Sequence, residues 1–216
     1  MLHRRLAIID VALTAMAENR WRSATVAAIC AEANLSKRYF YESFRDLDEL
    51  GAAVIEGVAS EIGRSAVAAF EMAINAPVAI QARAAVDSVV GSIGADRRKA
   101  LVLLGGVAWS PILHAERTAA MRRLTDTFVT YARIEHSSES SVHPLTSTVV
   151  AFIIGGTAQA ILAWIEGDHS TETDRLIDDV TALWLSVGAS TADITSKRSA
   201  STKLSPLSAP KVRDHR

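Results

Sequence analysis

The chain has 216 residues, about half of them apolar, with few glycines and prolines and a formal net charge of −1. This is enough for a real core and favours helix over sheet. The single Cys30 excludes an internal disulfide and a cysteine-based metal cluster, and reads as a small buried apolar residue.

No apolar stretch reads as long and charge-free enough to span a bilayer. The start, "MLHRRLAIIDVALTAMAENRW", lacks a signal peptide's uninterrupted apolar region because Asp10 breaks it. A cytoplasmic protein without membrane contact is expected. Charge is unevenly spread. Residues 1–45 carry seven Lys/Arg against four Asp/Glu, residues 46–189 ten against eighteen, and residues 190–216 six against two. A basic head on an acidic body implies that only the head meets a polyanion.

Apolar residues recur at helical spacing almost throughout. A first helix is predicted over 4–18, with Ile8, Ile9, Ala12, Leu13 and Met16 on one face. Thr25 caps a short second helix in which Val26, Ile29 and Cys30 share a side. Asn34 stands where the chain must turn, because Asn tolerates positive φ. Ser36 then caps a third helix. Asp46 opens a long fourth one with the sequence Asp-Leu-Asp-Glu, its carboxylates set against the positive helix end. Further helices are predicted over 78–93, 96–108 and 111–135, the last begun by Pro111. The stretch "HSSESSVHP" (136–144) reads as a surface loop, and helices over 145–166 and 172–187 follow. From Ser190 onward the Ser/Thr/Lys/Pro-rich chain has little to bury and reads as a disordered basic tail.

Two short helices joined by a tight turn, the second opening Ser-Lys-Arg, form a helix-turn-helix pattern. In "NLSKRYFYESF" (34–44), Phe40 and Phe44 are four apart and share the inward face of a helix. Arg38 and Glu42 project opposite, and Tyr39 and Tyr41 fall on the flanks. The tyrosine rings can lie along the surface while their hydroxyls reach phosphate. The plainer use of both is to cover a domain junction. Lys37 suits phosphate or guanine contact, and Arg38 is the residue placed to read a base edge. Glu42 has two uses open to it: accepting from a cytosine amino group, or restraining Arg38 at the i, i+4 spacing.

The run "ATVAAICAEANLSKRYFYESFRDLDEL", residues 24–50, resembles the DNA-binding domain of the TetR/AcrR family of bacterial transcriptional regulators. Thr25, Val26, Ile29, Ala33, Leu35, Ser36, Lys37, Tyr41, Phe44 and Leu50 carry the likeness, which is strong over about residues 4–56. It is weaker in "FIIGGTAQAILAWIEGD" and "LIDDVTALWLSVG", which look like the last two helices of family members, where two subunits pair. The chain departs in two places: no Gly lies near Asn19-Arg20, and Leu47 stands where a Lys is common, with Arg45 able to substitute. The resemblance implies an all-α protein with a helix-turn-helix domain at 1–45, a ligand-binding and dimerisation domain at 46–189, and the tail at 190–216. The DNA-contacting set is then Thr25, Ser36, Lys37, Arg38, Tyr39, Tyr41 and Arg45.

A dimer face is expected at Phe152, Gly156, Ala160, Trp164, Val180 and Trp184, since small residues amid large ones allow close helix crossing. Two-fold symmetry in the protein implies an operator of approximate two-fold symmetry. Phe70, Ile93, Leu103, Trp109, Leu113, Met121, Phe128 and Tyr131 are candidates to line a ligand pocket, although such residues also build ordinary cores. The family resemblance implies an apolar or amphipathic effector, of unidentified structure, and repression as the commoner mode. No cofactor or metal is expected. The six histidines lack ligand spacing, and Ser110 in "GVAWSP" lacks the flanking glycines of a nucleophile elbow, so catalysis is not expected. The competing reading is a dimeric helical scaffold with weak or lost specific DNA binding, motivated by Leu47 and Glu42.

Overall fold

In the computed structural model the described residues are 2–105, 110–135, 145–167 and 172–203. Among them the chain forms α1 (Leu2–Ala17), a 3-10 turn (Trp21–Ser23), α2 (Val26–Glu32), α3 (Lys37–Tyr41) and α4 (Leu47–Met72). Then follow α5 (Val78–Ala95), α6 (Arg97–Leu103), α7 (Pro111–Glu135), α8 (Leu145–Glu166) and α9 (Thr173–Lys203). No strand occurs among the described residues.

The turns of the head use asparagine where glycine is the easier residue. Asn19 (φ 59°) reverses the chain after α1 and Asn34 (φ 53°) separates α2 from α3. The short polar side chain of Asn makes this left-handed conformation cheaper than it is for most residues. Asn19 thereby does the work of the glycine missing near Asn19-Arg20. Thr25 caps α2, its hydroxyl accepting from the Ala28 N–H at 3.1 Å. Asp46 caps α4 by accepting from the Glu49 N–H at 2.8 Å, and Glu49 reaches back to accept from the Arg45 N–H at 2.8 Å. Each cap contributes about 1 kcal/mol by satisfying an orphan amide.

Helices α1, α2 and α3 pack on one another, and α1 also lies against α4 and α6. The inward face of α1 is the one its spacing predicts: Ile8, Ala12 and Met16 are fully buried, with Leu13 close behind. Cys30 is buried and unpaired, and burial pushes its thiol pKa up. Beyond the head, α4 runs between α5 and α7, while α9 packs on α5 and α8. Gly51 on α4 permits the close approach of the head and α7. A Cβ there would lie 2.8 Å from Leu113 Cδ1 and 3.1 Å from Trp21 Cζ2.

Three expectations need correcting. The chain does not become irregular at Ser190, because α9 continues through Lys203. Ala, Ser and Thr around residues 189–201 prolong a helix already anchored upstream, where propagation is far cheaper than nucleation. Residues 204–216 and the stretch 136–144, expected to be a surface loop, lie outside the described residues. Helix α6 ends at Leu103, not 108. Finally, Leu145–Glu166 is apolar enough to cross a membrane by length and composition alone, against the expectation that no stretch is. A helix in the interior of an assembly meets the same test.

Candidate nucleic-acid interface

Helix α3 is a single short turn-and-a-half that cannot stand alone, and its placement comes from two aromatic anchors. Phe40 is fully buried and Phe44 is 3% exposed. Their rings pack 5.8 Å apart. Phe44 lies beyond the helix end, yet its N–H still donates to the Phe40 carbonyl at 2.8 Å, which keeps both rings on one side. Ser36 occupies the N-cap position with extended backbone, but its hydroxyl makes no capping bond, contrary to expectation. The carbonyl of Ser36 instead accepts from the Tyr39 N–H at 3.0 Å.

With the phenylalanines inward, Ser36, Lys37, Arg38 and Tyr41 are exposed, as are Thr25 at the start of α2 and Arg45 beyond α3. Tyr41 is 61% exposed and stands edge-on to Phe40, with centroids 5.3 Å apart. Tyr39 behaves differently. It is half-buried, and the Arg4 guanidinium lies 4.0 Å from its ring centroid. Arg5 sits likewise over Phe44 at 5.0 Å. The first turn of α1 therefore brings two further cations to the edge of α3, which the sequence reading missed. The signal was present in the His3-Arg4-Arg5 run, whose proximity to α3 depends on the fold.

Carboxylates restrain two of the cations. Arg38 Nε donates to Glu42 at 3.0 Å, so of the two uses open to Glu42 the free chain adopts the restraining one. Arg45 Nε donates to Glu49 at 2.8 Å. That pairing raises the Arg45 pKa and holds the Glu49 carboxyl below the usual range. Both pairs are solvent-exposed and screened, so they restrain the two guanidinium groups only weakly.

The residues singled out for ligand binding divide between two cavities. Met121 and Phe128 line an inner, apolar cavity of about 60 Å³ with Ile93, Leu103 and Trp184. Tyr131 lines a separate outer cleft of about 440 Å³ between α4 and α7, and its ring packs 6.1 Å from that of Phe70. Leu113 lines neither. It is fully buried and sits against Gly51 at the joint between head and body. Trp109 lies outside the described residues.

The expected dimer residues also separate. Phe152 is 69% exposed and Gly156 is exposed beside it on α8. Ala160 and Trp164 are half-buried against the chain's own core. Val180 is buried, and Trp184 turns inward, its Nε1 donating to Thr157 Oγ1 at 2.7 Å and its ring packing against Phe128. Those two serve the subunit's interior. Large apolar residues of α9 that are exposed include Leu183 and Ile194; Leu183 is one position from Trp184 and so about 100° round the helix.

No protein-family model matches the chain, and no curated protein matches it. Solved structures do. A TetR-family transcriptional regulator from Streptomyces coelicolor superposes with TM-score 0.69 at 15% identity, covering 93% of this chain and 86% of its own. The fatty acid degradation regulator FadR from Bacillus halodurans gives TM-score 0.67 at 16% identity, over 84% and 94%. FadR from Bacillus subtilis, in complex with stearoyl-CoA, gives 0.64 at 16%, over 84% and 98%. The fold is thus that of the TetR-family transcriptional regulators. These neighbours are regulators of transcription rather than enzymes.

Proposed function

We propose that this chain is a sequence-specific, DNA-binding transcriptional regulator. The observation that carries the reading is α3: two buried phenylalanines hold down a helix whose outer surface presents Lys37, Arg38 and Tyr41 to solvent. Lys37, near the positive helix end, takes phosphate, and Arg38 exchanges Glu42 for a guanine edge. Tyr41, Thr25, Ser36 and Arg45 contact the backbone, which fixes register. Tyr39 contributes less by its own hydroxyl than by seating Arg4, since cation–π contact orients the guanidinium.

The regulator works in the cytoplasm as a homodimer. Helix α8 is apolar over its length while only 22% of its most apolar window is buried within one chain. Its exposed Phe152–Gly156 face, with Leu183 of α9, is the surface a second copy covers. Two α3 helices related by that axis read an operator of approximate two-fold symmetry.

An apolar or amphipathic small molecule releases the protein, which acts as a repressor. Support comes from the inner cavity's lining and from the stearoyl-CoA held by a neighbour of the same fold. The ligand acts only through its differential affinity for the DNA-competent state.

A gel shift with DNA from upstream of the chain's own gene tests the reading. Sequence-specific retardation that survives moderate salt and that Arg38→Ala weakens by losing discrimination at one base position supports it. Absence of any shift, with or without cell-extract small molecules, returns the reading to a dimeric scaffold.

A further inference from the structure

Leu124 lines both the outer cleft and the inner cavity, so one side chain partitions them. Opposite it stands Gly63 on α4, where even a Cβ would come within 2.7 Å of Leu124 Cδ2. The inner cavity, about 60 Å³, is far below the ~300–1,000 Å³ of small-molecule sites, whereas the outer cleft, about 440 Å³, falls within that range. A ligand housed only in the inner cavity has no room. One that starts in the cleft and passes Leu124 has both a preformed mouth and an apolar end.

The charges of the cleft select the head group. Arg123 is already paired, with Glu56 and with Glu116. The Glu71 carboxylate accepts from the Tyr131 hydroxyl, which raises the tyrosine pKa. Arg64 is the remaining cation. Its Nε donates to the Ser60 carbonyl at 3.1 Å, and among the described residues no acidic side chain pairs with it. Glu71 and Glu56 lie seven and eight residues from it along α4, an axial separation of about 10.5 and 12 Å, and Glu61, three residues away, is already paired with Lys99. A monoanionic head at Arg64 is therefore attracted at contact and only weakly opposed.

The geometry points to the α4/α7 cleft as the binding site for an amphipathic carboxylate, with its head on Arg64 and its alkyl end carried past Leu124 into the inner cavity. This rests on the regulator reading only for its consequence on DNA; the binding itself stands apart from it. A chain inserted between Gly63 and Leu124 separates α4 from α7, and α4 is the helix whose other end adjoins α3.

The test is calorimetric titration of the full-length protein with octanoate, decanoate and dodecanoate, and with decanol and decyltrimethylammonium. The carboxylates should saturate, with affinity rising about fourfold per methylene as the tail enters apolar surroundings. Decanol should bind at least tenfold more weakly than decanoate. Arg64→Leu should weaken decanoate about tenfold and leave decanol unchanged. Leu124→Trp, checked for an unaltered circular dichroism spectrum, should abolish the dependence on chain length. Equal binding of alcohol and acid, preference for the ammonium compound, indifference to Arg64→Leu, or no carboxylate binding would each overturn the assignment. Gel shifts on the same preparations keep the two readings apart. Carboxylate binding without specific DNA binding refutes the regulator alone, and specific DNA binding without carboxylate binding refutes this site alone.

Discussion

Arg98 on α6 reaches across to Asp10 on α1, its Nη2 lying 2.9 Å from the carboxylate. The same guanidinium donates to Thr14, one turn further along α1, at 2.7 Å, and to both oxygens of Asp96 at 2.8 and 2.9 Å. Helix α6 also supplies Leu103 to the inner cavity, and the C-cap residue behind it supplies Leu104. A single side chain therefore ties the cavity wall to the head. Arg98→Met should lower thermal stability by about 1–3 kcal/mol, because the half-buried Asp96 and Thr14 lose their donor. Asp10→Asn should cost less than 1 kcal/mol, since its carboxylate is largely exposed. A ratio near one between the two would contradict the assignment of Arg98 as the hub.

The pairing of Arg98 with Asp96 sets a pH dependence. Hydrogen bonding to Arg98 holds the Asp96 carboxyl below its ordinary pKa of 3.8. A depressed folded pKa means the stabilisation is complete above the unfolded value and is lost as pH falls through the folded one. The stability of the wild type against urea should fall as the pH drops below about 4. Asp96→Asn, already lacking the charge, should show a shallower decline over that interval.

At α3, Arg38→Ala should cost about 1–3 kcal/mol of discrimination at one base position while sparing the fold. Lys37→Ala should instead weaken binding evenly across sequences and reduce the salt slope by about one. Glu42→Gln frees Arg38 from its restraint and removes a negative charge from the DNA side, so non-specific affinity should rise. Competition gel shifts over a salt series distinguish the three. A fall in affinity with Glu42→Gln would mean that Glu42 itself contacts DNA.

Phe152 is exposed within one chain, so Phe152→Asp should alter the fold of the subunit by no more than about 0.5 kcal/mol. It should nevertheless shift the sedimentation coefficient from dimer to monomer. Val180→Asp offers the contrast: buried in the subunit, it should unfold the chain rather than dissociate it.

Gly51→Ala adds one carbon where Leu113 and Trp21 already meet the backbone. Overpacking of this kind costs about 1–3 kcal/mol, read as a lowered thermal midpoint. If Leu113 instead swings aside at no cost, the midpoint will stay put.

Much of the head was legible in advance because its signals are local. Thr25, Asn34, Phe40, Phe44 and Asp46 each act within four residues of their own position, through caps, turn conformation or helical spacing. The limits of α8 were legible for the same reason, since a largely apolar segment with helical spacing is bounded by Pro144 and Gly167.

What sequence could not supply was the facing of helices that are apolar on most sides. Helix α8 and the middle of α9 offer several apolar stripes, so spacing alone could not say that Trp184 turns toward Phe128 and Phe152 toward solvent. Nor could it separate the aromatic residues of the body into Tyr131 of the outer cleft and Phe128 of the inner cavity, because that depends on how α4 and α7 meet at Gly63 and Leu124. Arg4 and Arg98 fell outside the reading because their partners lie 35 and 88 residues away along the chain. Local periodicity determined the helices and which side chains of α3 face solvent. Packing between distant helices decided the cavities, the Arg98 joint and the exposed face, since those contacts exist only once the chain has folded.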